Sequence, residues 1–244
     1  MAHFKLLSFA TADELVHVAA NAWLDEVETA HRAKKSHCVA LSGGRITRKF
    51  FTATAEQNQT RKVSFASVHF FWADERCVPP ADHDSNYKLA NELLFAPLQI
   101  PANQIHRIRG EDSPQAAVII AEAELRRIAP ADKNDQPVLD LIFLGLGEDG
   151  HVASLFPNAG AEITASTAPF LFVENSPKPP PRRISLSYAA LQAAKAVWVL
   201  ASGTGKERIL QVSLAAGGQT PLARVIQSRP PLSPAKIFSD LAGF

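Results

Sequence analysis

Asp149 and His151 flank a glycine near the end of residues 139–157, LDLIFLGLGEDGHVASLFP. Histidine has the ordinary side-chain pKa closest to neutrality, so it can take a proton from water at physiological pH. A carboxylate two residues away can fix its tautomer and ring orientation. The run before the pair is apolar and breaks at Gly145-Leu146-Gly147, a turn that lets a ligand approach the backbone. The pattern predicts a buried strand that delivers a general base to its carboxyl end, where open α/β sheets bind ligands.

Other chemistries fit this stretch less well. Residues 145–150 also match G-x-G-x-x-G, with Glu174 near the end of the next strand. Glu148 and Asp149 would set negative charge where a pyrophosphate meets a helix N-terminus, and Pro157 leaves too little chain for a crossover helix. A glycine turn with an incidental histidine stays open on these residues alone. A P-loop is excluded because the first glycine of its motif is missing before Lys206. The eight histidines show no H-E-x-x-H or other metal spacing, so no metal site is expected. Ser154 does not sit in a G-x-S-x-G elbow.

Three further segments put cations or free N–H groups at strand ends. Ser42-Gly43-Gly44 closes one strand and opens a helix, where backbone N–H groups and the helix dipole suit a phosphate. Arg45 and Thr47 could add donors there, and arginine pairs with phosphate in a bidentate way. Arg182-Arg183 follows three prolines, and Lys206 follows Ser-Gly-Thr-Gly at another strand-to-helix junction. Each is alone an ordinary surface cation; together they suit one phosphate. Asp74-Glu75-Arg76 ends the apolar strand VHFFWA at the same sheet edge, while Ser85-Asn86-Tyr87 reads as the cap of the next helix.

These segments need a scaffold that alternates strands and helices. Helical spacing runs over residues 11–34, with Thr11 as N-cap, and over 45–56, 87–95, 113–129, 205–216 and 221–227. Strands are predicted at 37–41, 68–73, 138–144, 170–173 and 195–201, with 183–187 extended. Such alternation implies βαβ units and a mostly parallel sheet covered on both faces. No linker separates two domains, so residues 1–244 are expected to form one α/β domain. With 25 basic and 24 acidic residues there is no basic tail or patch for nucleic acid or a membrane surface. No apolar run nears the roughly 20 residues of a membrane span. Asp13 and Glu14 stand where a signal peptide would be apolar, so a cytoplasmic chain is expected, with Cys38 and Cys77 as reduced thiols.

The order of these motifs closely resembles the 6-phosphogluconolactonase family. The similarity rests on Ser42–Gly44, Asp74–Arg76, the run from Gly145 to Pro157, Ser176-Pro-Lys-Pro-Pro, Arg183-Ile-Ser-Leu-Ser and Ser202-Gly-Thr-Gly-Lys206. It covers nearly the whole chain. It implies a Rossmann-like α/β sheet related to sugar-phosphate isomerases and deaminases. It also implies hydrolysis of 6-phospho-D-glucono-1,5-lactone in the oxidative pentose phosphate pathway, without metal or cofactor; separately, a monomer is expected. By motif match His151 would activate water, with Asp149 holding the imidazole or the loop. Arg76 would stabilise the oxyanion or bind sugar hydroxyls, with Asp74 orienting it. Gly43, Gly44, Arg45, Arg183 and Lys206 would hold the phosphate. Arg45-Ile46-Thr47 departs from the Ser-Thr-Pro that many members carry after Ser-Gly-Gly. A glucosamine-6-phosphate deaminase-like enzyme and a non-catalytic sugar-phosphate sensor are the competing readings.

Overall fold

A computed structural model describes residues 3–230 and 233–243. In chain order the elements are β1 (Phe4–Ser8), α1 (Ala12–Arg32), β2 (His37–Leu41), α2 (Arg45–Arg61), β3 (Val68–Trp72), β4 (Asp74–Arg76) and α3 (Asn86–Ala90). A π-turn, Asn91–Phe95, runs from α3 into α4 (Ala96–Leu98), followed by α5 (Pro114–Ile128) and β5 (Leu141–Gly145). The chain continues through α6 (Ala161–Thr164), β6 (Phe170–Val173), β7 (Arg183–Leu186), α7 (Tyr188–Ala193) and β8 (Ala196–Ala201). It ends with α8 (Glu207–Leu214), α9 (Pro221–Gln227) and β9 (Ala235–Ser239).

Six strands form a fully parallel sheet in the order β1-β9-β8-β5-β2-β3. Its inner strands are continuous apolar runs, as expected of a sheet covered on both faces: HCVAL in β2 is buried throughout. From β2 the chain steps outward to β3, then returns to place β5 on the other side of β2. That reversal opens a crevice at the carboxyl ends of β2 and β5, the standard ligand position in such sheets. The helices form for local reasons as well. Thr11 Oγ1 caps α1 by accepting the Glu14 N–H at 3.1 Å, and Trp23 on its inner face packs on Phe50 of α2 and Phe143 of β5.

The architecture departs from the sequence reading at three places. β1 and β9 extend the sheet beyond the segments the pattern marks, because FKLLS and AKIFS are too short and mixed to stand out. Asp74-Glu75-Arg76 is not merely the exit of β3. It is β4, which pairs antiparallel with β7, and β7 with β6, in a second sheet of three strands. The expected helix over 87–95 starts at Asn86 and continues through the π-turn to Leu98, with Ser85 Oγ as its cap. Both cysteines are free thiols, and burial pushes Cys38 up to about 11, so it is unreactive. No described helix is long and apolar enough to cross a membrane.

Candidate active site

The crevice holds a cleft of about 260 Å³. Its floor is the two glycine loops, tied to each other where Ser42 Oγ donates to the Phe143 carbonyl at 2.7 Å. Gly43 and Gly44 pass from β2 into α2, and Gly44 has φ +115°, a conformation that side chains resist. After β5 the chain turns through Gly147 and brings His151 against the cleft wall. His151 Nδ1 lies 2.5 Å from Asp149 Oδ1, and no protein hydrogen bond occupies Nε2 among the described residues. The carboxylate therefore holds the proton on Nδ1 and leaves the Nε2 lone pair facing outward without a protein donor.

Burial pushes the His151 imidazolium below its ordinary value, while the hydrogen bond and charge of Asp149 partly oppose this. Histidine is therefore neutral and able to accept a proton at pH 7. Burial alone would raise Asp149, but its hydrogen bond and attraction to His151 outweigh that and hold it below the usual range. The imidazole also lies 4.6 Å from the Phe156 ring, which fixes its plane. A methyl group at Gly147 would fall inside the His151 ring atoms Nδ1 and Cε1. Gly147→Ala should thus turn the imidazole aside and cost about 100-fold in turnover, with the melting temperature changed far less. Steady-state kinetics beside a thermal melt checks this.

The small sheet supplies the opposite wall. Strand alternation aims Asp74 and Arg76 at the cleft and Glu75 away from it. Burial pushes the Glu75 carboxyl up to about 7, against the N–H groups of Asn86 and Tyr87, each 2.8 Å away. Those bonds, with one from Ser85 Oγ, fasten the 77–86 loop to β4. The expected pairing of Asp74 with Arg76 is corrected here. Arg76 Nη1 donates instead to the Asp84 carbonyl at 2.8 Å, whereas Asp74 Oδ2 accepts the Ser154 hydroxyl at 2.7 Å. The strand period points both side chains the same way without bringing them into contact.

The cations occupy the cleft unequally. Lys206 precedes α8 and is half-buried; burial first, and then the nearby Arg45 guanidinium, push its ammonium down. Arg45 is exposed and extends across the mouth to within 4.0 Å of Glu148. Glu148 and Asp240 oppose this downward push, while Lys178 adds a further positive charge beside Lys206. Arg183 is not the surface cation its sequence context suggests. It is buried, and it donates to the carbonyls of Pro180, Lys178 and Pro179 at 3.0–3.1 Å. It therefore shapes the 178–180 loop while its guanidinium still lines the cleft. That loop presents Lys178, a cleft cation which sequence reasoning did not single out, as it did not single out Asn86. Glu148, read in the sequence only as a charge hostile to a pyrophosphate, stands at the mouth. No metal-ligand cluster lies at this cleft among the described residues: their one group with suitable spacing is Asp82, His83 and Asp84 on the 77–86 loop.

Residues 10–232 match the family model described as glucosamine-6-phosphate isomerases/6-phosphogluconolactonase. The 6-phosphogluconolactonase of Mycobacterium tuberculosis is 35% identical over 224 residues, 88% of this chain and 87% of that protein. That of Haemophilus influenzae is 34% identical over 205 residues, 84% of this chain and 83% of its own. The solved 6-phosphogluconolactonase of Trypanosoma brucei superposes with a TM-score of 0.82 at 25% identity, covering 98% of this chain and 96% of that one. A monomeric glucosamine-6-phosphate deaminase of the NagB superfamily shares the fold, with a TM-score of 0.77 at 17% identity over 96% of this chain and 95% of its own. With the family model spanning most of the chain and these relatives above 30% identity, the chain belongs to the glucosamine-6-phosphate isomerase/6-phosphogluconolactonase family.

Proposed function

We propose that this chain hydrolyses 6-phospho-D-glucono-1,5-lactone to 6-phosphogluconate, with His151 as general base. The observation that carries the reading is the Asp149–His151 pair, whose unoccupied Nε2 shares one cleft with an anion seat at Lys206. The relatives named 6-phosphogluconolactonase support the substrate.

In the reaction, His151 Nε2 takes a proton from water as the water oxygen bonds to the lactone carbon. The carbonyl electrons move onto oxygen, and the Arg76 guanidinium, braced by Asp84, stabilises that charge. One well-aimed donor of this kind contributes about 3–4 kcal/mol. The intermediate collapses by breaking the bond to the ring oxygen, which receives the proton from the His151 imidazolium. Carboxylate and hydroxyl result, and the carboxylic proton passes to solvent. Lys206, the Gly43 and Gly44 N–H groups at the start of α2, and Arg45 swinging from Glu148 hold the phosphate. Arg183 acts by fixing the loop beneath them. An activated ester needs no covalent intermediate, and the phosphate grip supplies orientation.

The test is lactone hydrolysis measured above the spontaneous background, with the unphosphorylated lactone as comparison. Turnover of the phosphorylated lactone at a kcat/KM at least about 100-fold higher is expected, since bonds to a charged partner carry about 1.5–3 kcal/mol each. Ammonia release from glucosamine 6-phosphate, or binding of 6-phosphogluconate without turnover, would replace the proposal with the deaminase or sensor reading.

The pH profile has a definite sign. Only neutral His151 accepts a proton, so kcat/KM should fall about tenfold per pH unit on the acid side. Its inflection should lie below the ordinary imidazole value, because burial dominates. Asp149 raises this pKa, so Asp149→Asn should move the inflection further down, read from kcat/KM between pH 4.5 and pH 8, about the imidazole range.

A further inference from the structure

Ser154 is 1% exposed and lies where three parts of the site meet. Its N–H donates to Ser185 Oγ of β7 at 3.2 Å, and its hydroxyl donates to Asp74 Oδ2 of β4 at 2.7 Å. A hydroxyl donates once, so the Arg183 Nη1 reaching toward Ser154 Oγ at 3.5 Å meets a lone pair. The result is a directed chain from guanidinium through hydroxyl to carboxylate, which fixes the orientation of the Asp74 side chain.

Asp74 is itself 4% exposed, and its side chain lines the cleft. The Asn86 amide donates to the Asp74 backbone carbonyl at 2.8 Å and approaches Oδ1 only at 3.5 Å. One carboxylate oxygen is thus spoken for and the other is nearly free. A carboxylate oxygen left without a good donor calls for one from the ligand. Water removed from such a wall must be replaced by a hydroxyl, or the site loses affinity.

We infer that Asp74 reads one ring hydroxyl of the phosphorylated lactone and that Ser154 is the positioning residue that aims it. The inference rests on the lactonase reading and assigns Asp74 a recognition role separate from proton transfer. It makes the wall selective for a polyhydroxylated ring, not merely for any phosphorylated ester.

Wild type, Ser154→Ala and Asp74→Asn are assayed with the phosphorylated lactone and its monodeoxy analogues, alongside thermal melts. In wild type, one analogue should lose about 10- to 100-fold in kcat/KM, as for a hydrogen bond to a charged group. Ser154→Ala should slow the parent lactone by a similar factor yet barely change that same analogue. A common loss across every substrate would mean that Ser154 only anchors the His151 loop, and would overturn the inference. So would an unchanged parent rate. If Ser154→Ala does not fold, Asp74→Asn carries the same comparison with the same two outcomes. A wild type that turns over no lactone at all would remove the activity reading, and this inference with it.

Discussion

His151→Ala should reduce lactone turnover by about 100- to 10,000-fold, to near the spontaneous rate, while 6-phosphogluconate still binds within a few-fold of wild type. The split follows from the geometry. The imidazole touches Asp149 and Phe156 and takes no part in the Lys206 seat, so its loss removes the base and spares the phosphate grip. His151→Gln should behave the same way, since an amide fills the space but cannot take a proton. Kinetics and calorimetric titration with the product separate the two effects. Near wild-type turnover in either variant would end the assignment of His151 as base.

The second large effect concerns stability. Arg229 is 2% exposed and has no carboxylate partner among the described residues. Its guanidinium instead donates to the carbonyls of Leu191, Gln192 and Ala194 at the end of α7, to Lys195 before β8, and to Ser233 before β9. The carbonyls at the end of α7 carry the negative end of its dipole, which with the two loop carbonyls makes a buried cation tolerable there. Burial still pushes Arg229 below its ordinary value. Arg229→Met keeps the length of the side chain but leaves these acceptors without donors. Each buried orphan costs about 1–3 kcal/mol, and partial relaxation onto water or neighbouring donors lowers the sum to about 3–5 kcal/mol. A fall in Tm of roughly 6–20 °C is expected from a scan at fixed pH. The exposed Arg208, replaced by alanine as a control, should change stability by no more than about 0.5 kcal/mol. An Arg229→Met protein as stable as the control would show that water or a shifted loop satisfies those carbonyls.

Arg229 and Arg183 also mark what a sequence can and cannot tell. The β2 and β5 loops were legible because an apolar run ending in glycines has few structural solutions, and both loops fall at the switch point of the sheet. The contact of His151 with Asp149 was legible because a spacing of two residues about a glycine turn brings carboxylate and imidazole together. The two arginines were opaque because their partners are backbone carbonyls, which every residue carries and no letter announces. β4 was opaque for a related reason. Three charged residues in a row look like solvent-facing chain until β7 pairs with them. Lys178 escaped because nothing local indicates that a proline-rich loop folds back over the cleft.

The small antiparallel sheet has a wider consequence. It shares no strand with the parallel sheet, yet it carries Asp74, Arg76 and Arg183, whereas the His151 loop, the glycine loops and Lys206 ride on the larger one. The molecule is built like a vice with one fixed and one interchangeable jaw. On the proposed reading the larger sheet would hold the phosphate and the base, and the smaller one would read the sugar. Substitutions confined to β4, β6 and β7 could then retarget the enzyme while its clamp stays intact.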